Sequence, residues 1–237
     1  MINAVELFNK DLAMLGEFRE TFLSPIPKFF DEDRFLELVA FRESLYKEEY
    51  DEFVEAKKNK DVAEMYDAIC DMRYILVGTI DIYMAHHSLH KEQIRKIQLD
   101  SLNLNSLIAS QSNNHLTLEN ISKTLIITGD KVDNMPLLYF ARYVDFLKMV
   151  DYAMCNERFY SAALFNENFE EVHRSNMSKI CQDVREAQAT VKSYADKGID
   201  VYLTEVEHDK SRYIIKRYGD GKVLKNINWS PPVIKTR

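Results

Sequence analysis

Two acidic strings are the residues most able to do chemistry: Glu48, Glu49 and Glu52 within KEEYDE, and Glu64, Asp67 and Asp71 further along. In helical register Glu49 and Glu52 fall in line with Phe41, Leu45 and Ala56, so they interrupt an apolar, core-facing stripe. Asp71 lies between Ala68 and Ile75, with Glu64 and Asp67 one or two turns earlier on nearly the same face. Inward-facing carboxylates without partners repel one another and are costly to ionise, so such a cluster calls for protons or cations. A divalent ion is the simplest answer. Oxygen-only donors with no His or Cys on the stripe favour Mg²⁺, with Mn²⁺ also admissible, over zinc. The competing reading is a solvated helix face, where EExxE strings recur by chance. A di-iron centre would need Glu-x-x-His pairs, and the acidic segments contain no histidine; His86, His87 and His90 follow them and read as surface residues.

The elements that must hold these groups are helical. Val5, Phe8, Leu12, Leu15 and Phe18 keep a helical period over 2–22 until Ser24-Pro25-Ile26-Pro27 interrupts it. Asp31-Glu32-Asp33 supplies an acidic first turn to a long helix with Phe35, Leu38, Phe41 and Leu45 on one stripe and Lys57, Lys58 and Lys60 at its end. Asp61 can cap the next helix, and so short a link predicts antiparallel neighbours. Further helices are expected at about 91–111, 117–126 and 136–165, with a turn at Gly129-Asp130, and another helix carries FEEVHRSNMSKICQDVREAQATVKSYADKG. The pattern then turns to β: VYLTEV, RYIIKR and KVLK read as three short strands of a meander, with Gly219-Asp220-Gly221 as a hairpin turn and an extended tail after it.

Composition agrees with a mainly α fold. Only 6 Gly and 5 Pro occur in 237 residues, and 46% hydrophobic content is enough for a sizeable core in one domain. A net charge of -7 argues against coating a nucleic acid polymer, which takes many Lys and Arg. It leaves a small anionic substrate open, provided divalent ions stand between carboxylates and phosphates. Three scattered cysteines with no CxxC pair read as reduced thiols of a cytoplasmic protein. The N-terminal stretch lacks a basic leader, and no apolar run is long enough for a membrane span.

Arg42-x-x-Leu45-x-x-Glu48-Glu49-x-x-Glu52, followed by Asp67-Ala68-Ile69-Cys70-Asp71 with Tyr74 and Gly78 behind it, resembles the MazG-like, all-α NTP pyrophosphatase superfamily, which includes phosphoribosyl-ATP pyrophosphatase and dimeric dUTPases. FEEVHRSNMSK at 169–179, and DGKVLK at 220–225 with Asn228-Trp229-Ser230-Pro231-Pro232, resemble its bacteriophage and prophage branch. The resemblance implies a helical bundle over 1–237 as a single domain, with a helical insertion at about 86–165 and a β-hairpin and tail at about 200–237.

It also implies cleavage of a (deoxy)nucleoside triphosphate between the α- and β-phosphates, giving nucleoside monophosphate and pyrophosphate. Mg²⁺ would be held by Glu49, Glu52 and Asp71. Ala68 stands where the ExxD pattern wants an acid, so Asp67 is the expected fourth ligand, with Glu64 competing for that place; Glu48 could ligate or act as base, as could Glu52. Asn176 and Lys179 fit contacts to the nucleotide, or else a cap and a solvated lysine. Lys222, Lys225 and Trp229 would cover the substrate, or else form a basic hairpin with a packed tryptophan. The superfamily's habit of completing its site by dimerisation or internal repeat implies a homodimer, in the host cytoplasm if phage-encoded. Other readings are hydrolysis of phosphoribosyl-ATP or an alarmone, and a catalytically silent helical protein that binds a partner through the insertion.

Overall fold

The computed structural model describes residues 4–22, 32–86, 117–125, 135–155, 157, 160–206 and 209–237. The helix expected at 91–111, the Ser24-Pro25 break, His87, His90 and the Gly129-Asp130 turn lie outside the described residues. What is described is mainly helical with a small antiparallel sheet near the C-terminus.

Helix α1 (Ala4–Phe22) buries Phe8, Leu12 and Leu15, the apolar row its period predicts. Helix α2 (Glu32–Asn59) and helix α3 (Val62–His86) are antiparallel neighbours. Between them Lys60 takes a positive φ of 58°, the left-handed conformation that ends a helix, and Asp61 N–H returns to the Ala56 carbonyl at 2.9 Å. The Asp61 carboxylate then accepts the Glu64 N–H at 3.1 Å, the expected N-cap.

Helix α3 is the axis of the molecule. From Met65 to Met84 nearly every side chain is buried, which a helix shows when neighbours pack on all its sides. Helix α1, α2, helix α4 (Met135–Met154) and helix α5 (Ala162–Met177) all pack against it. Such enclosure leaves Arg73 without solvent. Its guanidinium donates to both oxygens of buried Asp11 at 2.7 and 2.9 Å and to the Asn166 side-chain oxygen at 2.7 Å, while Tyr143 donates its hydroxyl to Asp11 at 2.6 Å.

Two expected helices are each interrupted. The one expected over 136–165 stops at Met154, and α5 starts afresh with Ser161 accepting the Leu164 N–H at 3.1 Å. The long helix expected over 169–198 ends at Met177. Helix α6 (Val184–Ala195) begins after Asp183, which accepts the Glu186 N–H at 2.8 Å, while Glu186 reaches back to the Gln182 N–H at 2.6 Å. This reciprocal cap makes a new start cheaper than continuing the helix.

Strands β1 (Val201–Val206) and β2 (Asp209–Arg217) pair antiparallel, with Leu203 opposite Ile215. The expected third strand shrinks to a single bridge of Val223 to Lys216, supported by Leu224 N–H to the Ile215 carbonyl at 2.9 Å. On the same edge of β2, Cys181 pairs with Tyr213 and takes the space a full third strand would need. Phe22, Ile180, Val206 and Ile214 form the small core that fixes the sheet to the end of α1.

The tail runs back along α5 as a strap. Asn168 exchanges two hydrogen bonds of 2.8 Å with the Lys235 backbone, Arg174 donates to the Pro231 carbonyl at 2.9 Å, and Asn226 donates to the carbonyls of Ser178 and Ile180. The extended tail thus finds the surface that its lack of internal pairing requires.

Candidate functional site

A cleft of about 960 Å³, counted out to its solvent boundary, runs along α3. Its floor is the row Asp71, Tyr74, Ile75, Gly78, Asp81 and Ile82, spaced three or four residues apart as one helix face requires. Glu49 enters from α2, Asn176 and Lys179 from the end of α5, and Lys222 from the turn after β2. Gly221 holds a φ of 70° in that turn, a left-handed conformation that glycine adopts without strain.

The cleft has two chemically different ends. At one, Glu49 and Asp71 lie within the field of Lys222 and Lys179; at the other, Leu15, Phe18 and Phe41 line the cleft with Arg42, Arg19 and Asp81.

At the charged end burial and mutual repulsion keep the carboxyls protonated far above their usual range. Burial, then Asp71, Glu52 and Glu48, push Glu49 up to about 9, against the pull of Lys222. Asp71 rises to about 7 through burial and the neighbouring Asp67, although Lys179 and Lys225 lower it. Asp67 rises to about 6 through burial and the charges of Glu64 and Glu52. Glu52 is raised too, by burial first and then by Glu48 and Glu64. One buried oxygen of Asp67 has no hydrogen-bond partner among the described residues. Lys179 is held below its usual range by burial and donates to the Asn176 side-chain oxygen at 2.6 Å.

The predicted residues are only partly brought together. Glu49, Asp71, Asn176, Lys179 and Lys222 line the cleft. Glu52 was expected on the core stripe with Glu49, but it is exposed at the rim; the stripe that α2 buries is Phe35, Val39, Tyr46, Phe53 and Ala56. The spacing fits either side of that stripe, and packing against α3 decides between them. Glu48 is exposed and pairs with Lys222 at 3.5 Å, and Glu64 is exposed beyond Asp67. Lys225 acts on Asp67 and Asp71 through its field, but its ammonium lies over the Trp229 ring at 3.7 Å. The Trp229 indole N–H donates to the Ser175 carbonyl at 3.2 Å, so the tryptophan is packed on α5.

Other cleft residues had no assigned role in the sequence reading. Arg42 crosses over Gly78 and donates to the Thr79 hydroxyl at 2.8 Å and the Ile75 carbonyl at 2.7 Å. A Cβ on Gly78 would collide with that guanidinium, which is the reason for glycine there. Arg19 donates to Asp81 at 2.5 Å, and Tyr74 hydrogen-bonds His173 at 3.1 Å behind the floor. The spacing of Arg42 to Gly78 carried no signal for these contacts, since together they join four different helices.

As the side chains stand, no three His, Cys, Asp or Glu among the described residues converge closely enough to hold an ion. Still, the donor set is all oxygen, one buried oxygen lacks a partner, and the carboxyls are paired with each other's repulsion rather than with direct cations. Those features fit a hard divalent ion.

Fold and cleft together define a mainly helical protein with a carboxylate and lysine site laid along a buried central helix. Residues 15–92 match the phosphoribosyl-ATP pyrophosphohydrolase family, which belongs to the MazG-like, all-α NTP pyrophosphatase superfamily, and the match supports a pyrophosphohydrolase kind of enzyme. The chain is also similar to an uncharacterized protein of Acanthamoeba polyphaga mimivirus, 27% identical over 232 residues that cover 92% of this chain and 91% of the relative. That relative is consistent with a phage or viral branch. No solved structure matches the chain. No helix among the described residues is long and apolar enough to cross a membrane.

Proposed function

We propose that this protein is a Mg²⁺-dependent nucleoside triphosphate pyrophosphohydrolase that releases nucleoside monophosphate and pyrophosphate. The observation that carries this reading is the charged end of the cleft. There Glu49, Asp67 and Asp71 are half-buried and repel one another, with raised pKa values, and lysines line the same end. A protein with no use for the cluster would gain nothing from desolvating it.

Glu49, Glu52, Asp67 and Asp71 would hold the ion, with Glu64 as the substitute for Asp67. The ion would neutralise the triphosphate and polarise its α-phosphoryl group. Lys179, half-buried within the field of Asp71, and Lys222 would meet phosphate oxygens. Glu48 shares the Lys222 ammonium at the rim and is free to accept a proton from the attacking water once phosphate draws the lysine away; Glu52 is the other candidate base. Lys225 and Trp229 act as supports of the hairpin rather than as a lid, in keeping with their mutual stacking.

A second substrate, phosphoribosyl-ATP, is favoured by the family match over 15–92. Assay of pyrophosphate and monophosphate release from dNTPs, NTPs and phosphoribosyl-ATP, with Mg²⁺, with Mn²⁺ and with chelator, tests both. No pyrophosphate from any of them, together with unchanged metal binding when Glu49, Glu52, Asp67 and Asp71 are all replaced by Ala, would sink the proposal. The superfamily resemblance further supports a single-domain homodimer in a host cytoplasm, with 86–165 as an insertion; light scattering on the purified chain checks the dimer.

A further inference from the structure

We propose that the apolar end of the cleft reads the edge of a nucleobase through Arg42, Asp81 and Arg19, and selects keto bases, which carry an imino N–H beside a carbonyl, over amino bases. The inference deepens the proposed function and rests on it for the placement of the phosphates at the charged end.

The geometry has three parts. First, Asp71 and Asp81 stand ten residues apart on the α3 floor, about 15 Å at 1.5 Å per residue. That separation suits an α-phosphate at one end and the far edge of a base at the other. Second, Phe18 and Phe41, with Leu15 and Ile82, give a flat ring apolar surfaces to lie on. Third, the polar groups at this end are few and rigidly held. Arg42 is fixed by the Ile75 carbonyl and the Thr79 hydroxyl, and its remaining terminal nitrogen has no partner among the described residues. Arg19 occupies one oxygen of Asp81, leaving the other without a partner among the described residues. The field of Asp81 also reaches Arg42, and all three groups line the same cleft, so a base edge laid here would meet the carboxylate with a guanidinium to either side.

A guanidinium only donates and a carboxylate only accepts, so the order donor, acceptor, donor cannot be inverted by flipping a side chain, as an Asn or Gln could be. Uracil and thymine present the complementary order, carbonyl, N–H, carbonyl. Guanine matches it in part through its O6 and N1–H. Adenine and cytosine place a bare ring nitrogen against Asp81, lone pair against lone pair, and a buried mismatch of this kind costs more than a matched bond gains.

The test is a panel of dUTP, dTTP, dGTP, dATP and dCTP, with kcat/KM for pyrophosphate release in Mg²⁺ and Kd by calorimetry in Ca²⁺. Wild-type protein is expected to favour the keto group by roughly tenfold to a hundredfold. D81N can donate from the central position, so it is expected to lose most of that preference and gain on dATP and dCTP. Hydrolysis with no keto preference overturns the inference and leaves the reaction standing. Keto-selective binding without pyrophosphate release keeps the inference and overturns the reaction. Failure of the wild type to bind any of the five overturns both. The wild-type panel decides the matter even if D81N folds poorly.

Discussion

Asn in place of Asp71 should make the metal-free protein more stable while abolishing its proposed ion site. A carboxyl whose folded pKa is raised keeps a proton that the unfolded chain has already lost, so folding stability falls as pH climbs from the ordinary value to the folded one. Asp71 moves from 3.8 to about 7, chiefly by burial and by Asp67, and the attraction of Lys179 and Lys225 does not offset this. At about 1.4 kcal/mol per pH unit the full penalty is about 4 kcal/mol, and sharing of protons with Glu49 and Asp67 reduces what one substitution recovers to about 2–4 kcal/mol. For a chain of this size that is roughly 5–10 °C in Tm.

The assay is chemical or thermal unfolding of wild type and D71N in chelator from pH 4 to pH 8, repeated with Mg²⁺. The gain should be near zero at about pH 4, where both side chains are neutral, and grow through neutrality. Saturating Mg²⁺ should stabilise the wild type and leave D71N unmoved. A variant less stable than wild type at pH 8, or a difference that does not change with pH, would refute the account of Asp71 as a desolvated and repelled carboxylate.

Three further outcomes are expected. G78A should destabilise by about 1–3 kcal/mol in denaturant titration despite alanine's better helix propensity, because the Arg42 guanidinium must give up its bonds to Ile75 and Thr79. R73M should cost about 3–5 kcal/mol, since it leaves the Asp11 carboxylate buried without its cation, whereas R73M combined with D11N should recover part of that loss. N168A should cost about 1–2 kcal/mol and speed amide exchange of the Lys235 N–H, with little change at Asp11 or Arg73, because Asn168 holds the strap by two bonds.

Much of the architecture was already legible in local patterns. The apolar rows of α1, the tight α2–α3 link with Asp61 as its cap, and the change to β after residue 200 are short-range matters of period, capping and turn chemistry, and a linear chain displays them directly. The acidic strings likewise announced that carboxylates would gather. Which of them would be enclosed could not be read in this way. Glu49 and Glu52 share a stripe to within the width of one helix face, and only the packing of α2 on α3 puts the first in the cleft and the second at its rim.

The same limit explains the broken helices and the lost third strand: capping by Asp183 and Glu186, and the pairing of Cys181 with Tyr213, compete with patterns that taken alone favour continuation. The sequence by itself determined a helical protein with a carboxylate cluster on two adjacent helices, because those traits repeat every turn. Tertiary structure alone decided that Lys179 would come within the field of Asp71, that Arg19 would pair with Asp81, and that Arg42 would line the same cleft. Those contacts join residues distant in the chain, and their energy comes from burial and from charges brought together only when α1, α2, α3 and α5 close around one another.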